Sequence, residues 1–257
     1  MRIAILGAGK MGAWLARELG AENDVAVHDV RRDKSEAIRK AAVLPALEDL
    51  AAFRPEVLLN AVTLSETIGA FRAAAPRLEA GCLLVDVASI KGSLPEFYAD
   101  CGFRFASVHP MFGPTFADMG SLKNENAVII SESDPAGASL FKTMFKRLGV
   151  RVFDYTFAEH DRMMAYSLTS PFVASLVFAI GVDKTTVPGS TFSRHLKIAR
   201  GLLAEDDQLL AEILFNPGSL PQLDKVTANL EYLKHVIRAR DHDEARKLFG
   251  RLRKNVG

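Results

Sequence analysis

Along the first 157 residues, apolar positions fall in short, nearly unbroken runs separated by helical periods. RIAIL (2–6), VAVHD (25–29), EVLLNAV (56–62), CLLVDVAS (82–89), FRFASV (103–108), NAVIIS (126–131) and RVFDYTF (151–157) each read as a strand. Between them lie a helix over 10–19, a charged helical stretch after residue 29, SETIGAFRAAAPRL, SLPEFYADC and PAGASLFKTMFKRLG. Strands rich in Val, Ile and Leu without strict alternation are apolar on both faces. The pattern therefore predicts an α/β protein with a mainly parallel sheet covered by helices on both sides.

After residue 157 no strand-like run survives. Leu223, Val226, Leu230, Leu233 and Ile237 step by three and four and make one apolar stripe, of the kind that lines a core or a subunit contact. The longest apolar stretch, PFVASLVFAIGV (171–182), falls short of the roughly 20 residues that span a bilayer and reads as a buried helix. The expected division is a sheet domain over 1–157 and an all-helical domain over 158–257, with the cleft between them the default site.

Composition changes this picture little. Hydrophobic residues make up 49% and charged residues 25%, ordinary for a globular protein, and a net charge of +1 argues against nucleic acid or an anionic membrane as a partner. Two cysteines, Cys82 and Cys101, are too few for a disulfide framework and read as reduced thiols, which suggests a cytoplasmic protein. The opening MRIAILGAGKMG has an apolar run, but glycines and a lysine break it before a signal peptide could form.

That opening holds the first chemical signal. GAGKMG, with Lys10 and Met11 between its last two glycines, follows a strand and begins a helix. Gly7 permits the tight turn, Gly9 lets the backbone approach a pyrophosphate, and Gly12 lets helix and strand pack closely. The helix N-terminus offers free N–H groups to the phosphates. Asp29 ends the second strand, where a carboxylate can accept both ribose hydroxyls and disfavour a 2′-phosphate. The expected cofactor is NAD on a Rossmann-type sheet. Arg31 and Arg32 read as solvated charges but keep NADP open, and Val62, at the end of the third strand, is a further contact to the cofactor.

DVASIKG (86–92) and SVHPMFGPT (107–115) each end a strand. Ligands of open α/β sheets bind outside these carboxyl ends, so Ser89 and His109 should share a crevice with the glycine loop. A dinucleotide, a hydroxyl and an imidazole suit hydride transfer from an alcohol carbon. The imidazole takes the hydroxyl proton, and Ser89 orients the imidazole or the substrate. His/Cys/Asp/Glu spacing gives no metal site. His195, His235 and His242 read as solvated.

GAGKMG, DVASIKG and SVHPMFGPT, in this order and spacing, resemble the prephenate/arogenate dehydrogenase family of tyrosine biosynthesis. His160-Asp161 with Met164 and Ala165 resembles that family's entry to its first long helix, and residues 190–214 resemble the segment that carries its substrate-binding arginine. The resemblance implies NAD-dependent oxidative decarboxylation of prephenate, with His109 and Ser89 catalytic. It gives Arg194, with Lys197 a rival, to the substrate carboxylate and implies a homodimer built by the helical domain; a dianionic substrate needs further cationic partners, for which Lys197 and Lys91 are the candidate helpers. His160 is read as a structural residue. The chain departs from the family pattern at SLTSPF, where Thr169 and Ser170 precede Pro171, and at PTFAD, where some members carry a glutamate. Arogenate dehydrogenase, a 3-hydroxyacid dehydrogenase-like or imine-reducing enzyme, and an NAD-binding protein without chemistry are the alternatives. The K-x-x-x-N pair of the hydroxyacid enzymes is absent where the helical part begins.

Overall fold

In the computed structural model of the chain, residues 1–113, 121–183, 185 and 187–257 are described. The PTFAD stretch, and with it Pro114, lies outside them. Among the described residues the strands are β1 (Arg2–Leu6), β2 (Asp24–His28), β3 (Ala42–Val43), β4 (Val57–Asn60), β5 (Leu83–Asp86), β6 (Arg104–Pro110), β7 (Asn126–Ile130) and β8 (Arg151–Tyr155). They form one sheet in the order β3-β2-β1-β4-β5-β6-β7-β8. From β3 to β6 every pairing is parallel; β7 runs antiparallel to β6, and β8 parallel to β7. The doubly wound, mainly parallel Rossmann-type sheet expected from the sequence is present.

Helices α1 (Lys10–Leu19), α2 (Arg32–Glu36), α3 (Leu50–Phe53), α4 (Thr67–Ala74), α5 (Leu94–Asp100) and α6 (Pro135–Arg147) cover the sheet. Ile3, Ile5, Val27, Leu59, Val85 and Val108 pack on one face with Trp14 and Leu15 of α1 and Phe141 and Phe145 of α6. The alternate positions Ala4, Leu58, Leu84 and Val128 pack on the other with Phe71 of α4 and Phe97 and Tyr98 of α5. Strand side chains alternate between faces, so both sets being apolar is what the unbroken runs require.

Strand β6 passes from one neighbour to another. Its first half pairs with β5, ending at Asp86↔Ser107, and its second half pairs with β7, from Val108↔Ile129 to Pro110↔Ala127. It thus projects past the carboxyl end of β5 and carries His109 beyond it.

Helices α7 (Phe157–Ser167), α8 (Thr169–Ile180), α9 (Ser190–Leu202), α10 (Asp207–Leu214), α11 (Ser219–Ala239) and α12 (His242–Asn255) complete the chain. Thr156 caps α7: its hydroxyl accepts from Glu159 N–H, while the Glu159 carboxylate accepts from Thr156 N–H, a reciprocal pair that fixes where the helix starts. Leu168 between α7 and α8 is itself helical (φ −86°, ψ −53°), so the two make one rod. That rod, Phe157–Ile180, is 24 residues long and holds an 18-residue window with a mean hydropathy of 1.6, enough by length and composition to cross a membrane.

The expectation of a buried helix over 171–182 is corrected here. In α8, Thr169, Phe172 and Val173 are buried, but Val177 is 53% and Ile180 86% exposed. Neighbouring helices pack along one side of the rod, and among the described residues nothing covers the other. The α11 stripe is exposed for the same reason: Leu223, Leu230, Leu233 and Ile237 all lie open, so it is not core within this chain.

Candidate active site

The glycine loop is built as its residue types require. Gly7 has φ +94°, a left-handed conformation that favours glycine, and a Cβ there would lie 2.7 Å from Ala61 O. A Cβ on Gly12 would lie 1.9 Å from Gly7 O. Both glycines are needed for the loop to close on itself and on the end of β4, where Val62 sits half-buried. Gly9 differs, because a Cβ there would meet nothing within 4 Å. It faces open space at the N-terminus of α1, which carries no side-chain cap. A free helix terminus, an approachable backbone and no acidic residue in the first turn fit a pyrophosphate. The residues present thus fit a dinucleotide.

Asp29 lies at the end of β2 as expected, with its carboxylate turned to the backbone. Oδ2 accepts Ala8 N–H at 2.7 Å and Oδ1 accepts Arg31 N–H at 2.8 Å. It braces the glycine loop, and each oxygen keeps a lone pair for a ribose hydroxyl. Arg31 and Arg32 are exposed, and Arg32 pairs with Glu36 at 2.7 Å.

The histidine loop meets α1 directly. Phe112, three residues past His109, packs edge-on against Trp14 of α1 with ring centroids 5.3 Å apart. The loops after β1 and β6 therefore share one edge of the sheet.

His109 is 6% exposed. Strand alternation puts Phe105, Ser107 and His109 on one face of β6. There Phe105 stacks on Tyr98 (4.1 Å) and contacts Phe157 (6.0 Å), an aromatic group that seats the start of α7 against β6. One turn further, His160 reaches His109: Nε2 of His160 lies 3.0 Å from Nδ1 of His109. His160 Nδ1 lies 2.9 Å from Asp161 Oδ1, and the Asp161 carboxylate accepts Lys91 N–H and Gly92 N–H, each at 2.9 Å.

Beneath this row is a second network. The Lys91 ammonium donates to Asp86 Oδ1 at 2.7 Å and to Val108 O at 2.8 Å, and Tyr98 OH donates to Asp86 Oδ2 at 2.8 Å. The side chains of Lys91 and Asp86 are fully buried. Burial lowers Lys91 from its ordinary value, opposed by the adjacent Asp86. Burial holds His109 well below the usual histidine range, with His160 and the Lys91 charge adding to it. His160 is also lowered by burial, opposed by its bond to Asp161. For Asp161 burial acts upward, but the His160 bond and the two amides outweigh it and hold the carboxyl below its ordinary value. At neutral pH His109 is therefore a neutral imidazole, able to accept a proton.

Three expectations change. Lys91 was read as a helper for substrate, yet its ammonium points inward and is spent on Asp86 and Val108. Ser89, half-buried, makes no hydrogen bond to His109, whose Nδ1 is taken by His160. His160, read as structural, is the side chain that contacts the imidazole. Arg194 and Lys197 are exposed on α9. Ala199 is the buried residue of that helix, and at 100° per residue both cations fall on its far side. Among the described residues neither has an ionic partner, and neither is bonded to the His109 network. Among the described residues no cluster of His, Cys, Asp and Glu could hold a metal.

The helical half also touches the nucleotide loops, which no local pattern signalled. Glu212 of α10 accepts Leu64 N–H at 3.1 Å and Ser65 N–H at 3.0 Å, and Glu205 pairs with Lys10 of the glycine loop at 3.3 Å.

An eight-stranded doubly wound sheet with an open glycine loop at the carboxyl end of β1 is the Rossmann-type architecture, and that loop fits a dinucleotide such as NAD or NADP. Residues 2–89 match a sequence family described as NADP oxidoreductase, coenzyme F420-dependent. Two curated relatives from Arabidopsis thaliana are arogenate dehydrogenase 1 (23% identical over 95% of this chain) and arogenate dehydrogenase 2 (24% over 97%), both chloroplastic. The chain spans 40% of the first and 74% of the second. A solved structure of prephenate dehydrogenase from A. aeolicus, in complex with hydroxyphenyl propionate and NAD+, superposes over 100% of this chain and 98% of its own at 17% identity, with a TM-score of 0.81. The resemblance to the prephenate/arogenate dehydrogenase family read from the motifs is borne out over nearly the whole length of the chain.

Proposed function

We propose that the protein is an NAD-dependent dehydrogenase that converts prephenate to 4-hydroxyphenylpyruvate and CO₂. The observation that carries this reading is His109, buried at the carboxyl end of β6 with its Nδ1 3.0 Å from His160, on the edge where the glycine loop opens. Gly7, Gly9, Lys10, Met11, Gly12, Asp29 and Val62 form the cofactor side of the cleft. Bound NAD supplies the hydride acceptor. His109 accepts the proton of the substrate's ring hydroxyl as the ring carbon is oxidised. The ring carboxylate leaves as CO₂, its bonding electrons make the ring aromatic, and His109 returns the proton to the phenolate oxygen. Ser89, at the rim, is assigned to the substrate. Burial serves the chemistry by keeping the base unprotonated and excluding water from the developing charge.

The substrate is a dianion and needs a cation. Arg194 and Lys197 are the candidates from the helical half, 158–257, which we take as the substrate domain beside the nucleotide domain, 1–157. The two carboxylates of the His109 network, Asp86 and Asp161, are already engaged by Lys91, Tyr98, His160 and main-chain amides, and neither is left for the ammonium of arogenate. This favours prephenate, with arogenate the second substrate to test. Asp29 at the ribose position favours NAD. The exposed apolar faces of α8 and α11 support a homodimer, and the bonding of His160 and Asp161 into the sheet half supports reading the Phe157–Ile180 rod as part of the enzyme rather than a membrane anchor. Two free thiols, Cys82 and Cys101, support a cytoplasmic location, and the net charge of +1 supports the absence of nucleic-acid partners.

The test is the rise in reduced nicotinamide absorbance with NAD or NADP against prephenate, arogenate and a 3-hydroxyacid. Turnover with prephenate and NAD is expected. His109→Asn should lower it on the order of 10²–10⁴-fold while NAD affinity stays near normal. Turnover only with the 3-hydroxyacid, or none with any substrate, would refute the reading.

A further inference from the structure

The row Asp161–His160–His109 has a direction, fixed from its far end. Both oxygens of Asp161 receive main-chain N–H groups, from Lys91 and Gly92. A carboxylate held this way is an acceptor. His160 Nδ1, 2.9 Å from Oδ1, must then carry its ring proton there. A neutral imidazole has one N–H, so His160 Nε2 is bare, and the nitrogen 3.0 Å from it, His109 Nδ1, carries the proton of that ring.

We propose that His160 and Asp161 are positioning residues that lock His109 in the tautomer protonated at Nδ1, leaving Nε2 bare to take the substrate's proton. The opposite arrangement would set bare His160 Nδ1 against the Asp161 carboxylate, two acceptors at 2.9 Å. The proposal rests on the reading of His109 as the base of a dehydrogenase. It deepens that reading by making the base depend on α7, since Asp161 is tied to the loop after β5 while His109 belongs to β6. The base is correctly protonated only when α7 is seated on the sheet. The charged and titratable groups around the row are Lys91, which faces both rings, and Asp86 and Asp161, which face His160; the imidazoles face each other. A positively charged Lys91 next to both rings adds to the cost of an imidazolium at either.

The experiment has two arms on the full chain. The first is ¹⁵N NMR of ring-labelled histidine in the unaltered protein, which needs neither turnover nor a variant. His109 and His160 should both be protonated at Nδ1 and bare at Nε2; a His109 protonated at Nε2 overturns the proposal. The second arm is kinetic. His160→Leu removes the acceptor for His109, and kcat should fall on the order of 10²-fold, within the range of a positioned base, with KM for the dianion changed less than about threefold. In His160→Gln an amide oxygen can accept from Nδ1–H, and most of the lost kcat should return. Asp161→Asn turns a donor toward His160 or toward Gly92. It should lower kcat and shift the His109 resonances toward the Nε2-protonated form. If His160→Leu does not fold, Asp161→Asn and the NMR arm decide. A His160→Leu protein with unaltered kcat and pH profile overturns the proposal. Absence of turnover in the unaltered protein would instead remove the assigned reaction, and the tautomers would still be read.

Discussion

Replacing Lys91 by methionine separates two roles for a lysine beside the candidate site. In the structure its ammonium is fully buried and makes a 2.7 Å ion pair with Asp86 and a 2.8 Å bond to Val108 O. Methionine fills similar volume but leaves the Asp86 carboxylate charged in the interior, with Tyr98 OH and Ala88 N–H as its remaining donors among the described residues. Breaking a buried pair from one side costs about 3–5 kcal/mol, because the remaining charge stays desolvated. Against a total stability of roughly 5–15 kcal/mol that is a large fraction. At roughly 2–4 °C per kcal/mol for a chain near this size, the melting temperature should drop on the order of 10 °C. The double variant Lys91→Met/Asp86→Leu removes both charges and should recover most of the loss, since apolar replacement of a buried pair is often neutral or better. Thermal denaturation of the two single variants and the double variant makes the cycle, and KM is measured alongside. A Lys91→Met protein that melts normally but has a raised KM would show that the ammonium serves the substrate and that the structural argument is wrong.

Other outcomes follow from the same geometry. Gly9→Ala should fold with an unchanged melting temperature yet bind NAD at least about tenfold more weakly by calorimetry, a loss of about 1.4 kcal/mol. Gly12→Ala, whose Cβ would lie 1.9 Å from Gly7 O, should lose both stability and NAD binding. Equal NAD affinity in Gly9→Ala would mean that the open space there is not the pyrophosphate site. The histidine pair predicts acid sensitivity. His109 and His160 have folded-state values below their ordinary 6.5, so in that window the unfolded chain binds more protons and stability decreases as the pH is lowered. Their contribution is complete above about 6.5 and is lost as pH drops through the lower folded values, at up to about 2.7 kcal/mol per pH unit for two protons. Urea denaturation at several pH values should show this slope reduced in His109→Gln/His160→Gln, and an identical slope would mean that the pair is not buried neutral. Arg194→Ala and Lys197→Ala, each compared for KM and kcat, should show one that raises KM for prephenate about tenfold or more with kcat little changed. No change in either would remove both from the substrate site.

The sequence determined the elements and their order. The unbroken Val, Ile and Leu runs place every strand but β3 to within three residues at each end, and the helical periods between them place α1, α4, α5 and α6 to within four, because the pattern they follow is local. β3, only Ala42–Val43, is too short to show a period in the sequence. The glycine loop, Asp29 and the position of His109 at a strand end were equally legible, since each is a residue type required by nearby backbone. The tertiary structure decided the rest. Apolar runs carry no direction, so the reversal at β7 could not be read from them, nor could an exposed α8 be told from a buried one without its neighbours. His109 and His160 are 51 residues apart in the chain, and Lys91 N–H and Asp161 are 70 apart. What an imidazole or an ammonium does is set by desolvation and by the partner it meets, and for these groups both come from elements that only folding brings together.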